Sequence, residues 1–118
     1  MAKEHSPEKD LADCLAAIQS LPEADRDLAQ WIHKLVLEVA PDLQPKTFYG
    51  MPAYYRGSKN IVFFQGGGKF KTRYSTLGFT DGAALDDGEM WPVAFALTAK
   101  SEQNEVRIRA LVARATQI

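Results

Sequence analysis

Apolar residues recur at helical spacing in the first part of the chain, alternate with polar ones in the middle, and return to helical spacing at the end. Leu11, Cys14, Leu15 and Ile18 share one face of a predicted first helix. It opens at Ser6-Pro7-Glu8: a capping hydroxyl, a proline at the first helical position and an acid near the positive end of the dipole. A second helix is predicted from "LPEADRD", where Pro22 suits a first turn and Glu23, Asp25 and Asp27 favour the same dipole end. Its stripe is Leu28, Trp31, Ile32, Leu35, Val36 and Val39, and Pro41 stops it. His33 falls off that stripe and is expected in solvent; the only other histidine is His5.

From residue 47 the rhythm is that of strands. "NIVFFQ" is dense in β-branched and aromatic residues. "GGG" at 66–68 predicts a hairpin connection, because glycine takes positive φ freely. The strand predicted next, "KFKTRYSTL", puts Phe70, Thr72, Tyr74 and Thr76 on one face and Lys69, Lys71, Arg73 and Ser75 on the other. "TDGAALDDGEM" reads as a loop and "VAFALT" as a further strand. "SEQNEVRIRALVARATQI" reads as a closing helix capped by Ser101, with Val106, Ile108, Leu111, Val112 and Ala115 mostly inward.

Helices, a meander and a final helix predict an α+β fold in residues 1–118, read as a single domain. The expected architecture is an antiparallel sheet of about four to five strands, with two N-terminal helices and one C-terminal helix packed on one face. The opposite face is then partly open, and Lys69, Lys71 and Arg73 are expected on it.

Composition narrows the chemistry. Cys14 is the only cysteine, which excludes an intramolecular disulfide and a cysteine-based zinc cage; a small buried thiol is expected. No stretch approaches the ~18 apolar residues of a membrane span, and "MAKEHSPEKD" lacks an apolar signal core, so cytoplasm is the expected location. The net charge of -1 conceals a segregation. Between Gln44 and Thr80 there is no Asp or Glu, while Lys46, Arg56, Lys59, Lys69, Lys71 and Arg73 all lie there. Such a basic middle bears on partners rather than on fold.

The stretch "FYGMPAYY" (48–55) supports two readings. Pro52 cannot donate a ladder hydrogen bond and Gly50 permits a bend, so the segment turns the chain into the sheet with its aromatics over the core; a cis Met51-Pro52 bond is conceivable there. Alternatively Tyr49, Met51 and Tyr54 line a half-wet groove. The cations of "KFKTRY" either guard an exposed strand against pairing or hold an anion. "GGGK" is no phosphate loop: Phe63 and Phe70 stand where glycine and a hydroxyl belong. No GxSxG elbow or HExxH pair is present, and "DDGE" lacks calcium-loop spacing. No nucleophile–base pair emerges, so an enzyme is not expected. The slightly negative net charge and the lack of a nucleic-acid fold signature argue against nucleic acid.

The run "YGMPAY", followed by Gly57, Lys59, a hydrophobic strand and Lys69, resembles the YdhG-like domain-of-unknown-function family. The similarity extends from the first helices to the strand near Gly78, and Gly50, Met51, Pro52, Ala53, Tyr54 and Lys69 match position by position. The resemblance implies a small cytosolic α+β domain of frataxin-like helix–sheet–helix layout. One branch of the family is regarded as iron chaperones that donate iron for iron–sulfur assembly. Those relatives tend to carry a histidine two residues after the matching lysine, where this chain has Lys71. Iron delivery would draw on surface carboxylates, Glu8, Asp10 and Asp13 or Glu23, Asp25 and Asp27. No resident cofactor is expected.

The preferred expectation is a non-catalytic binding domain. Tyr49, Met51, Tyr54, Lys69, Lys71 and Arg73 on the open sheet face would take an anionic small molecule or an acidic protein partner. The alternative is an iron chaperone using the acidic helices. Reversing the charge at Lys71 (Lys71→Glu) separates them, since only the first depends on it.

Overall fold

Ser6 Oγ accepts the Lys9 amide at 3.0 Å and opens the first helix, α1 (Pro7–Gln19), as its N-cap sequence demands. The computed structural model describes residues 6–117, so His5 lies outside the described residues. α2 (Glu23–Val39) starts after Pro22 and ends before Ala40-Pro41. Five strands follow, β1 (Gln44–Phe48), β2 (Met51–Arg56), β3 (Lys59–Gln65), β4 (Ser75–Phe79) and β5 (Ala94–Leu97). They form one antiparallel meander in the order β1-β2-β3-β4-β5. A short helix, α3 (Gly67–Phe70), joins β3 to β4, and α4 (Glu102–Ala115) closes the chain with Ser101 Oγ accepting the Asn104 amide at 3.0 Å. Among the described residues, no helix is long and apolar enough to cross a membrane.

"FYGMPAYY" turns out to be a hairpin. Phe48 pairs with Met51, leaving Tyr49 and Gly50 as a two-residue turn with φ of 50° and 78°. Two successive positive φ values are what a two-residue connection between twisted strands requires, and Gly50 adopts its value without strain. Pro52 stands opposite Thr47 in β1, while the ladder to β3 begins only at Ala53. Its missing N–H therefore interrupts no bond on the β3 side. No peptide bond among the described residues is cis.

The strand predicted through Lys69, Lys71 and Arg73 does not form: β4 starts only at Ser75. The glycines override the alternation that predicted it, because they let the connection dock against the start of α2. Asp25 Oδ2 accepts the Gly68 amide at 2.8 Å, and Ser75 Oγ accepts the Gly67 amide at 3.0 Å. Lys71 then ends α3 in the left-handed region at φ 58°, so the three cations sit on a connection rather than on a sheet face.

Pairing sets Tyr54, Val62 and Phe79 in one row and Phe64, Leu77 and Phe95 in the next. These rows meet Cys14 and Ile18 of α1, Ile32, Leu35 and Val36 of α2, and Ile108, Val112 and Ala115 of α4 in the core. α1 packs on β1 and β2, and α2 on α4. Two predicted stripes are rotated. On α1 the buried residues are Asp10, Cys14 and Ile18, while Leu11 and Leu15 are exposed; Gln44 Nε2 donates to Asp10 Oδ2 at 3.2 Å on the inner edge. On α4, Val106 points outward and the Ile108–Val112–Ala115 row faces in.

Candidate functional site

The residues expected to form one site occupy three separate places. Tyr54 is wholly buried, so it lines no groove. Its hydroxyl lies 2.9 Å from His33 Nδ1 and interacts with the Cys14 thiol. That satisfied hydroxyl is why a tyrosine can sit in the core. It also corrects the solvent placement of His33, which is half-buried. Burial pushes the Cys14 thiol up to about 11, so it is no ready nucleophile.

Arg73 lies elsewhere, stacked on Tyr74 at 5.4 Å and lining a cleft of about 300 Å³ with Asp25, Asp27, Lys100 and Gly68. That cleft is mixed in charge. Lys71 is exposed on the same connection.

Tyr49, Met51 and Lys69 do converge, at the β1–β2 turn. Lys69 Nζ lies against Gly50, where a built Cβ would meet it at 3.6 Å, and stands 5.8 Å over the Phe70 ring. Tyr49 is 86% exposed despite its aromatic ring, and it is held at a φ that costs a non-glycine roughly 1–2 kcal/mol. Its ring meets Phe48 edge-on at 4.7 Å, and Phe48 in turn meets Phe63 at 5.3 Å. Phe63 lies across Gly78, where a Cβ would come within 2.3 Å of its ring. Met51 shares the face of its pair partner Phe48 and is buried.

The same face continues along β2. Lys46 Nζ sits 5.1 Å over the Tyr55 ring, and burial followed by the Tyr49 phenol raises the Tyr55 pKa. Phe48, Phe63, Tyr55 and Lys46 were not among the predicted site residues. β3 is apolar on both faces, so alternation carries no signal there for Phe63. Pairing of Lys46 with Ala53, and of Ala53 with Phe63, supplies the missing neighbourhood.

Three cations of the acid-free segment thus rest on aromatic faces: Lys46 on Tyr55, Lys69 on Phe70 and Arg73 on Tyr74. Among the described residues none of the three has a carboxylate partner. Arg56 is different. It bonds Asp42 at 2.8 Å and the Thr116 carbonyl at 3.0 Å, fastening β2 to the end of α4.

Three of the six acids considered for iron are engaged in structural bonds. Asp10 accepts from Gln44, Asp13 pairs with Lys9 at 3.1 Å, and Asp25 holds Gly68. Among the described residues no three Asp, Glu, His or Cys side chains come together.

His33 gives a first measurable consequence. Burial lowers its pKa below the ordinary 6.5. The unfolded chain therefore takes up the proton first as pH falls, so the stability contributed by neutral His33 is complete above 6.5 and is lost below it. Urea midpoints at about pH 8 and about pH 5 are expected to show that loss, and His33→Gln is expected to flatten it.

Compared with protein-family models, curated proteins and solved structures, the chain matches none.

Proposed function

We propose that this chain is a non-catalytic binding domain. It takes an anionic small molecule or an acidic segment of a partner protein on the patch built by Lys69 and Tyr49 at the β1–β2 turn and by Phe48, Phe63, Tyr55 and Lys46 behind it. The observation that carries the proposal is Tyr49: a large aromatic, 86% exposed, at a strained backbone position beside an ammonium group without a carboxylate partner. Strain of this kind persists where a function selects the side chain over the fold. Aromatic faces supply contact area at low entropic cost, and the lysines supply the charge.

Membership of the YdhG-like family, residence in the cytoplasm and the frataxin-like layering of α1, α2 and α4 on one side of the sheet belong to the same proposal. The layering is supported by the one core that Cys14 of α1, Ile32 of α2 and Val112 of α4 share with Tyr54.

The test uses amide shift titrations with phenyl phosphate and with an acidic decapeptide. Shifts are expected at Phe48 to Met51, Lys46, Phe63 and Lys69. Lys69→Glu is expected to weaken binding at least about tenfold, the effect of losing a charge-assisted contact of ~1.5 kcal/mol. Tyr49→Asn gives a sharper signature, because Asn-Gly is the preferred pair for this turn. It is expected to stabilise the fold by roughly 0.5–1 kcal/mol while weakening binding. Binding left intact by both variants sinks the assignment.

A further inference from the structure

The groove between β5 and α4 is a second open surface, remote in sequence from the aromatic patch. Leu77, Phe95, Leu97, Ile108 and Leu111 line a cavity of about 300 Å³, at the lower end of the roughly 300–1,000 Å³ that holds small ligands. Phe95 and Leu111 pack against the core yet stay only partly buried. β5 is the last strand of the sheet, and its Ala94 and Ala96 are exposed, so no further strand closes this side.

Two arginines on α4 are treated in opposite ways. Arg109 bonds Glu105 at 3.0 Å and also Glu38, which saturates its charge. Arg107, two residues earlier, has no carboxylate partner among the described residues. Its guanidinium lies 5.6 Å from the Phe95 ring centre and lines the groove. The groove therefore combines apolar side chains with the Asn104 amide and one unneutralised planar cation at its wall.

We propose that this groove binds a small amphipathic monocarboxylate. Its hydrocarbon part lies against Phe95, Ile108 and Leu111, and its carboxylate accepts from Arg107. A guanidinium fork matches a carboxylate through two parallel hydrogen bonds. A doubly charged phosphate calls for more than one cation, and the remaining lining offers none. The small volume favours a small molecule over a protein segment.

The experiment titrates the isotope-labelled full chain with octanoate, octan-1-ol and octylammonium below their aggregation concentrations. Octanoate is expected to shift the amides of Ala94 to Leu97 and Asn104 to Leu111, and to bind about tenfold tighter than the alcohol. The ammonium is expected to bind more weakly than either. Arg107→Gln is expected to bring octanoate down to the alcohol's affinity and leave the alcohol unchanged, which shows that the variant is folded. Equal affinities for the three probes, or shifts absent from these amides, overturn the proposal. Tyr49, Gly50 and Lys69 report on the aromatic patch in the same spectra, so failure at one site is read independently of the other.

Discussion

Tyr54→Ala is expected to lower the unfolding free energy by about 3–5 kcal/mol, measured by urea denaturation with the two tryptophans as reporters. Tyr54 is among the largest wholly buried side chains, and it faces Val62 on one neighbouring strand and Pro45 on the other. Removing the ring leaves a cavity in the most constrained part of the sheet, where strands on both sides prevent collapse. The loss also strands His33 Nδ1, which lies 2.9 Å from the phenol oxygen. A domain of this size has about 5–15 kcal/mol in total, so the variant stands near the limit of folding. Tyr54→Phe isolates the polar part. It keeps the ring but leaves His33 and Cys14 without their shared hydroxyl, and about 1–3 kcal/mol is expected to go with it. A phenylalanine variant as stable as the parent would show that the hydroxyl merely occupies space. An alanine variant losing less than about 1 kcal/mol would contradict the burial itself.

Tyr54 also shows where the sequence stops being legible. A tyrosine between Ala53 and Tyr55 looks the same whether its hydroxyl meets water or a partner brought in by another helix. Its partners come from α1 and α2, and only the tertiary structure names them. Local signals fared better. Ser6 and Ser101 mark helix starts through contacts three residues long, and the structure forms those contacts. The α+β class and the antiparallel meander were legible for the same reason, since periodicity is local. The basic strand was not. "KFKTRYS" alternates well enough to be a strand, yet the glycines before it admit a docking that alternation cannot register. The six residues read as one site are dispersed for the same reason: Lys69 reaches Gly50 of the turn that holds Tyr49, Tyr54 is in the core, and Arg73 lines a separate cleft.

That docking makes Gly67→Ala the second large expected loss, about 2–4 kcal/mol. A Cβ at Gly67 would lie 2.4 Å from the Tyr74 carbonyl oxygen and 2.7 Å from its carbon. Both are backbone atoms of the residue just before β4, so no side chain can swing aside. Relief requires the connection to move as a unit, which breaks the Gly67–Ser75 and Gly68–Asp25 bonds together. Gly68→Ala meets side chains alone, the Asp25 carboxylate at 2.8 Å and Pro22 Cγ at 3.4 Å, and a carboxylate can rotate; its expected cost is smaller, about 1–2 kcal/mol. Asp25→Ala removes the same anchor from the other side and is expected to fall in that range too, with the Gly68→Ala effect largely lost in the double variant because both act through one bond. The connection also carries Lys69, so displacing it draws the ammonium away from Gly50. Gly67→Ala is therefore expected to weaken anion binding along with stability, whereas Lys69→Gln weakens binding alone. A Gly67→Ala protein within about 0.5 kcal/mol of the parent, with full binding, would mean that the glycines do not hold this lysine in place.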